Sequence, residues 1–166
     1  ALLESIENAI KWLETARREI LELQDQGCEK NLESAEELPN ASEVLPIAWG
    51  SRVSPTFRER VRWIAENLGC SANDLMACMA WESGESFRAD IKNAAGSGAT
   101  GLIQFMPSTA KSLGTTTAAL ARMTPEDQLN YVYKYFQPYA GRLNNLGDVY
   151  MAILWPKGVG QPDHYV

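Results

Sequence analysis

Apolar residues recur at helical spacing through the first 26 residues of the chain, with charged residues between them. Such a stripe predicts a long amphipathic helix. We interpret it as a helix that packs on its own domain, and a coiled-coil or partner-docking segment is the alternative. The heptad repeat that a coiled coil needs is not sustained here. The apolar positions are Leu2, Leu3, Ile6, Ile10, Leu13, Ile20 and Leu23.

The following segment, residues 27–53, has little periodicity and carries Gly, Pro and scattered acidic residues, which is typical of a linker. A short helix at Ser34–Leu38 is compatible with it. Ser54 and Pro55 are residue types favoured at an N-cap and at a first helical position, so they predict the start of a helix that ends at Gly69. Its predicted buried face comprises Phe57, Val61, Ile64 and Leu68.

The rest of the chain predicts further helices and no confident strand, so the expected architecture is mainly α. Residues 88–100 are polar and rich in small residues, and we expect either irregular structure or a small hairpin there. The run Thr-Pro-Glu-Asp at 124–127 is a strong helix start signal, and Pro107 is tolerated near the start of an earlier helix. The helices expected in this region cover residues 101–113, 115–123, 124–136 and 148–155.

One carboxylate, Glu82, lies on the apolar face of another predicted helix. Ser71 followed three residues later by Asp74 is an acidic variant of the capping box, and Gly84 marks the stop. Burial and the nearby negative end of the helix dipole both raise the pKa of a carboxyl group, which suits a general acid near neutral pH. The alternative is a glutamate at a frayed helix end, hydrogen-bonded locally or solvated. The face comprises Leu75, Cys78, Met79 and Glu82, spaced i, i+3, i+4 and i+7.

Composition narrows the function classes. The 166 residues are 45% hydrophobic and 22% charged, which is ordinary for one globular domain with an extension, and no apolar run approaches the roughly 18 residues of a membrane span. Cys28, Cys70 and Cys78 form no CxxC or Cys/His cluster, so we expect no zinc site, no other metal and no cofactor. The one histidine, His164, lies two residues from the end, which disfavours a mechanism with a catalytic histidine.

The net charge of −6 is distributed unevenly. Residues 1–50 contain eleven acidic and four basic residues, whereas residues 51–166 contain ten and eleven. We therefore predict two units, an acidic helical extension with a linker over 1–50 and a second domain over 51–166. Because the second unit carries no strongly basic stripe, we do not expect nucleic acid as a partner.

Two motifs together carry a family resemblance. The first is WESGESF at residues 81–87, and the second is GATGLIQFMPSTA at residues 98–110. They resemble the lytic transglycosylase and goose-type lysozyme superfamily, in which a catalytic Glu-Ser pair near a helix end precedes a block Gly-Ala-x-Gly-Leu-Met-Gln-x-Met-Pro-x-Thr-Ala. The second block matches almost position for position, with Ile103 in place of the usual Met. The resemblance covers roughly residues 54–155.

The resemblance implies a lysozyme-like fold for residues 51–166, with a cleft that binds the glycan strands of peptidoglycan. The bond cleaved would be the β-1,4 link between N-acetylmuramic acid and N-acetylglucosamine. Glu82 aligns with the acid that protonates the glycosidic oxygen. Ser83 aligns with a residue that supports the acid, and Gln104 aligns with a cleft residue near the scissile sugar.

The chain departs from the family pattern near its end. The family often carries Ala-Tyr-Asn-Ala-Gly about fifty residues after the glutamine, and its Tyr and Asn help to shape the site. Residues 150–158 read YMAILWPKG, without the Tyr-Asn pair. Tyr150 or Tyr165 is a candidate to supply the missing phenol. Trp155 is a candidate sugar-stacking platform, with a core tryptophan as the alternative.

A second departure is the segment between Glu82 and Gly98, which is a few residues longer than the spacing common in the family. Transglycosylases of this kind typically work with one acid, because the N-acetyl group of the substrate assists departure and an internal hydroxyl closes a 1,6-anhydro ring. Hydrolases usually need a second carboxylate. Asp90 is the candidate for that role, and a loop carboxylate that caps a turn is the alternative. We expect Glu85 to be solvated. The missing Tyr-Asn pair favours hydrolysis by a muramidase slightly over transglycosylation.

A different class of function is a wall-binding or assembly module that keeps the fold and has lost turnover. Intact Glu82 and Gln104 argue against it, and the missing Tyr-Asn pair argues for it. An acidic extension on a wall-degrading domain suits a phage-encoded lysin or an antibacterial secreted effector that acts at the bacterial wall or in the periplasm. The candidate protein partners are a delivery protein and an inhibitor protein. No signal peptide is visible. Since residue 1 is Ala, we interpret the chain as a processed or partial form, so this absence says little about location.

Overall fold

The computed structural model describes residues 2–32 and 46–160, and within these residues the protein is built from α-helices joined by turns and short 3-10 segments. No strand is formed in the described part, in agreement with the predicted mainly α architecture. None of the described helices has the length and apolar character needed to cross a membrane. The helices are α1 (Leu2–Leu32), α2 (Pro55–Leu68), α3 (Ala72–Ser83), α4 (Pro107–Ser112), α5 (Thr117–Leu120), α6 (Pro125–Phe136) and α7 (Leu146–Leu154).

The capping residues set the bounds of α2 and α3 as the sequence predicts. The Ser54 hydroxyl accepts a hydrogen bond from the Phe57 amide at 3.0 Å, and the Ser71 hydroxyl accepts one from the Asp74 amide at 3.4 Å. Both helices end at a glycine in the left-handed region, Gly69 with φ of 69° and Gly84 with φ of 59°. Side chains with a Cβ rarely adopt that conformation, so these glycines terminate the helices with little strain.

The core lies where α2 packs on α3 and α6, and where α3 packs on α7. The sequence pattern predicts this arrangement for α2, whose predicted face is buried in full. Nearly all of α3 is buried, so it is the central helix of the domain. Large side chains that are almost completely buried form the core, among them Phe57, Leu68, Leu75, Met76, Met79, Leu129 and Phe136.

Helix α1 packs on the outside of α3 and α7. Ile6, Ala9 and Leu13 are buried in the same core as the other helices, and the Arg17 guanidinium forms an ion pair with Asp74 of α3. The interpretation of α1 as a packed helix is therefore confirmed. The predicted start of the linker at Gly27 is wrong, because α1 continues to Leu32. A single glycine in a helix interior costs only about 1 kcal/mol, which the rest of a long helix can offset. The division of the chain near residue 50 stays a prediction.

The prediction of a helix from residue 101 is wrong for its first six positions. Gly101 has φ of 86° and Gln104 has φ of 53°, so the chain makes a tight turn before α4 begins at Pro107. The neighbouring segment contains two isolated bridges, Lys92 with Thr100 and Thr100 with Phe105, which agrees with the small-hairpin alternative. The helices expected at 115–123, 124–136 and 148–155 are present within the bounds given above, and the one expected at Ser34–Leu38 lies outside the described residues.

Candidate active site

Glu82 occupies the last turn of α3, where the helix approaches the surface. Its side chain is half-buried, and burial raises the pKa of the Glu82 carboxyl from 4.5 to about 7. Within residues 2–32 and 46–160, the carboxylate has neither an ion-pair partner nor a hydrogen-bond donor from the protein. A carboxyl group with this pKa keeps its proton in about half of the molecules at neutral pH and can donate it to a bound molecule.

Two tyrosines from other helices lie within electrostatic reach of this acid. Tyr135 of α6 and Tyr150 of α7 each have a pKa raised to about 12, chiefly by burial and also by the negative charge of ionised Glu82. The nearby Tyr139 also raises the pKa of Tyr135. The Tyr135 hydroxyl donates a 2.6 Å hydrogen bond to the Ala152 carbonyl oxygen. Both phenols therefore stay protonated, and the surroundings of Glu82 carry neutral O–H groups.

Tyr150 also has a polar neighbour on the acid helix. The Trp81 side chain lies near the Tyr150 phenol and partly offsets the rise in its pKa. Tyr150, one of the two phenols considered from the sequence, therefore lies within electrostatic reach of Glu82. Tyr165, the other, lies outside the described residues.

Ser83 supports the turn that follows the acid. Its buried hydroxyl donates to the Met79 carbonyl oxygen at 2.7 Å and accepts from the Phe87 amide at 3.0 Å. Glu85 and Phe87 both have positive φ, so the chain reverses tightly here. Because the Ser83 hydroxyl is used within the protein, its contribution is to hold the end of α3 in place.

Gln104 lies in the tight turn of the second motif. Its side chain is half-buried, and its Nε2 donates to the carbonyl oxygens of Gly101 at 3.1 Å and Ile91 at 3.3 Å. These bonds use the amide nitrogen, which leaves the Oε1 atom as an acceptor. The left-handed backbone of Gln104 is uncommon for a residue with a Cβ, and such conformations persist where the surroundings determine them strongly.

Gln128 of α6 provides those surroundings. Its completely buried amide accepts from the Leu102 amide at 2.7 Å and donates to the carbonyl oxygens of Ala89 and Leu120 at 3.0 Å each. The Gln128 side chain therefore connects three segments by hydrogen bonds: the loop at Ala89, the second motif at Leu102, and the end of α5 at Leu120. A Cβ at Gly101 would overlap the Gln128 amide, so the glycine is needed for this contact.

Asp90 has a different environment. Its exposed carboxylate makes a bidentate ion pair with Arg88, with Arg88 Nε to Asp90 Oδ1 at 2.9 Å and Arg88 Nη2 to Asp90 Oδ2 at 2.8 Å. The hydrogen bond from Arg88 lowers the pKa of the Asp90 carboxyl. Asp90 is thus an ionised surface carboxylate, and its role as a second catalytic carboxylate stays a prediction.

Trp155 ends α7, where its amide donates to the Met151 carbonyl oxygen at 2.7 Å. The half-buried indole packs over Gly158, because a Cβ added there would lie 2.7 Å from Trp155 Cε3. Sugar stacking by Trp155 stays a prediction. Glu85, expected to be solvated, is half-exposed and forms an ion pair with Arg52 at 3.2 Å.

Sequence reasoning missed Tyr135 and Gln128 in this region. Both lie on the face of α6 that also carries Val132, at helical spacing, and the capping signal at Thr124 locates that helix correctly. The pattern therefore contains the signal for a polar pair among buried positions. Which other helix that face contacts depends on tertiary packing.

Comparison with known protein families supports the same region of the chain. The family described as Transglycosylase SLT domain matches residues 61–154, which is more than half of the chain and runs from within α2 to the end of α7. No curated protein and no solved structure gives a match. The chain therefore belongs to the transglycosylase SLT domain family and is a glycosidase that acts on peptidoglycan.

Proposed function

We propose that this protein cleaves the β-1,4 bond between N-acetylmuramic acid and N-acetylglucosamine with Glu82 as its general acid. The observation that carries the proposal is the state of Glu82, whose pKa of about 7 arises from burial and not from a charged partner. At neutral pH about half of such groups hold a proton, which is the condition for donating it to a leaving oxygen. Two neutral phenols near the acid support the proposal: the Tyr150 O–H can donate to a sugar oxygen, and the Tyr135 oxygen, whose hydrogen is used by the Ala152 carbonyl, can accept from a sugar hydroxyl.

The reaction begins when Glu82 gives its proton to the glycosidic oxygen. The bond from that oxygen to C1 of the muramic acid breaks, and the ring acquires the positive charge typical of glycosidase transition states. The resulting Glu82 carboxylate then accepts the proton of the nucleophile that attacks C1. The acid is restored at the end of each cycle, whichever nucleophile is used.

We favour the C6 hydroxyl of the same sugar as that nucleophile, which gives a 1,6-anhydro product and makes the reaction a lytic transglycosylation. This choice needs one carboxylate only. The ion pair of Asp90 with Arg88 supports it, because a carboxylate held by a guanidinium is a poorer base than a free one. Membership of a transglycosylase family supports it as well.

Hydrolysis by a muramidase is the second candidate. The observation in its favour is the absence of the Tyr-Asn pair from residues 150–158, together with a carboxylate at Asp90 that is ionised at neutral pH. In this version Asp90 directs a water molecule to C1 or stabilises the positive charge there. The Arg88 pair would have to open when substrate binds.

The mass of the products distinguishes the two reactions. Purified peptidoglycan is digested in water enriched in oxygen-18, and the soluble muropeptides are analysed by mass spectrometry. Transglycosylation gives products lighter by one water and without the label, whereas hydrolysis gives reducing ends that carry it. Glu82→Gln is the control and should release neither product. A chain that binds the wall and releases no sugar would instead indicate a binding or assembly module.

We further propose that the protein acts at the bacterial cell wall or in the periplasm after delivery by other machinery, as a phage-encoded lysin or a secreted antibacterial effector. The supporting features are the peptidoglycan substrate of the family and the acidic helical extension. Expression in the periplasm, with Glu82→Gln as control, tests this. Lysis by the active chain alone supports it, and equal survival of both cultures contradicts it. Co-purification of an inhibitor protein from a producing cell would identify the partner.

A further inference from the structure

Two exposed tryptophans form a pair beside the acid helix. Trp12 of α1 and Trp81 of α3 have ring centroids 5.2 Å apart at an interplanar angle of 52°, and each is 40% exposed. Exposed aromatic clusters on a soluble protein are typical of binding surfaces.

The pair is continuous with the candidate active site. Trp81 immediately precedes Glu82 in α3, and the groove beside Trp12 is also lined by Glu85, in the turn that follows the acid. Trp12 therefore packs against Trp81, the residue that precedes the acid in α3. Trp12 itself belongs to α1, which lies outside the residues matched by the family.

A groove of about 550 Å³ opens next to Trp12. It is bounded by α1 on one side and by the segment around Trp49 and the turn after Glu82 on the other. Its lining combines aromatic and apolar surface with hydroxyl groups and with the Arg52–Glu85 ion pair, whose charged atoms are 3.2 Å apart. The lining includes Trp12, Thr15, Trp49, Ser51, Arg52 and Glu85.

This combination matches the chemistry of a glycan strand. Each sugar ring has an apolar face that stacks on an aromatic side chain, and its rim carries hydroxyl and acetamido groups that hydrogen-bond to polar side chains. The Arg52–Glu85 pair offers donors and acceptors without net charge, which suits uncharged sugar hydroxyls better than a phosphate or another strongly charged ligand.

We propose that α1 supplies an additional glycan subsite, in which Trp12 and the adjoining groove hold sugar units of the strand beyond the bond that is cleaved. The proposal rests on the proposed function, because it takes the same glycan strand as ligand. It assigns the N-terminal helix a direct part in substrate binding. Helix α1 is held in place for this role by its buried apolar face and by the Arg17–Asp74 ion pair.

The chain offers a matched control for Trp12. Trp63 of α2 is 53% exposed and contacts Tyr133 of α6, with ring centroids 5.0 Å apart. It is thus a second exposed tryptophan in an aromatic pair. It borders a different cavity, which does not include Trp12 or Trp81.

The test compares Trp12→Leu, Trp12→Phe and Trp63→Leu on long glycan strands and on a short oligosaccharide that reaches only the sugars around the cleaved bond. We expect Trp12→Leu to raise KM for long strands about 3- to 10-fold with little change in kcat, and to leave the short substrate unaffected. Trp12→Phe should restore most of the affinity because it keeps a flat ring. Trp63→Leu should behave as the unmutated chain on both substrates.

Two results would overturn the subsite. One is unchanged KM for long strands in Trp12→Leu. The other is a gain in activity, which would mean that Trp12 covers the cleft. If Trp12→Leu unfolds, Thr15→Arg replaces it, because that change keeps both tryptophans and fills the groove with a long side chain. It should raise KM for long strands as well, and an unchanged KM contradicts the proposal.

Binding separates this proposal from the proposed function. Each Trp12 variant is combined with Glu82→Gln and its sedimentation with insoluble peptidoglycan is measured. A chain that releases no sugar overturns the proposed cleavage, yet weaker sedimentation of the Trp12→Leu combination would still support the subsite. Cleavage by the unmutated chain, with equal sedimentation of all combinations, overturns the subsite alone.

Discussion

Glu82 and Asp90 are two carboxylates eight residues apart in the sequence, and the fold gives them opposite environments. Glu82 lies in the last turn of α3, where partial burial raises its pKa to about 7 and no charged partner in the described part of the chain offsets the effect. Asp90 lies on an exposed loop, where the Arg88 guanidinium lowers its pKa. The comparison teaches that partial burial without a partner marks an acid that can donate a proton, whereas a bidentate ion pair marks a carboxylate that stays ionised.

Amide replacement of each carboxylate should separate them most strongly. Glu82→Gln removes the only proton donor in the proposed reaction, so we expect turnover of purified peptidoglycan to fall about 10²- to 10⁴-fold. Asp90→Asn should change turnover by less than about threefold, because an exposed carboxylate outside the reaction is replaced. The measurement is the initial rate of soluble sugar release. A large loss in Asp90→Asn would assign Asp90 a catalytic role and favour the muramidase.

The pH dependence of kcat/KM should follow Glu82 and not Asp90. General acid catalysis requires the protonated form, and the pKa of Glu82 is about 7. We therefore expect kcat/KM to fall about tenfold per pH unit above pH 7, in the unmutated chain and in Asp90→Asn alike. The measurement is the rate of cleavage of soluble glycan strands between about pH 5 and about pH 9. A decline that begins near the ordinary glutamate pKa would show that burial does not tune the acid.

The loop that carries Asp90 depends on Gln128, whereas Glu82 belongs to a helix of the core. Gln128→Leu leaves the Leu102 amide and the Ala89 and Leu120 carbonyl oxygens without their partner. Unsatisfied buried polar groups of this kind lower the free energy of unfolding, here by about 3–5 kcal/mol in total. Chemical denaturation measures the loss. Gln128→Glu is the matched variant and should recover part of the loss only in acid, where its protonated carboxyl can accept from Leu102 and donate one hydrogen bond; the ionised carboxylate, buried beside two carbonyl oxygens, should be at least as destabilising as leucine. Equal stability of all three chains would contradict the bracing role of Gln128.

Stability should depend on pH through Glu82. The pKa of Glu82 is about 7 in the folded protein and 4.5 for an ordinary glutamate, so the folded protein binds this proton more tightly than the unfolded chain does. The proton's contribution to the free energy of unfolding is therefore lost as the pH rises from about 4.5 through about 7. Glu82→Gln mimics the protonated form, and we expect it to unfold with a free energy about 1–3 kcal/mol higher than the unmutated chain at alkaline pH and about equal in acid. Asp90→Asn should show no such gain. Denaturant titrations at the two pH values provide the comparison.

Local signals in the sequence predict the helices well and the contacts between them poorly. Ser54, Ser71 and Thr124 cap their helices through bonds to residues three positions later, so a single sequence contains the information. The sequence pattern predicts helix over the turn at residues 101–106, because Gln128, which accepts a hydrogen bond from the Leu102 amide in that turn, is distant in sequence. Long-range contacts of this kind override local propensity.

The candidate site follows the same rule. The position of Glu82 on an apolar helix face, and hence the direction of its pKa shift, could be predicted from spacing alone. The two tyrosines around it come from α6 and α7, and Trp12 comes from α1. They meet only when four helices pack together, which the periodicity of any one helix does not specify.

We propose that burial makes Glu82 a proton donor while Asp90 remains ionised. The most direct test is a carbon-13 NMR titration of the side-chain carboxyl groups in the unmutated chain and in Glu82→Gln. We predict a glutamate signal with a midpoint at about pH 7 that is absent from Glu82→Gln, and an Asp90 midpoint below the ordinary aspartate value of 3.8. Two results would contradict this proposal: a Glu82 midpoint near 4.5, or a glutamate signal with a midpoint at about pH 7 that is still present in Glu82→Gln.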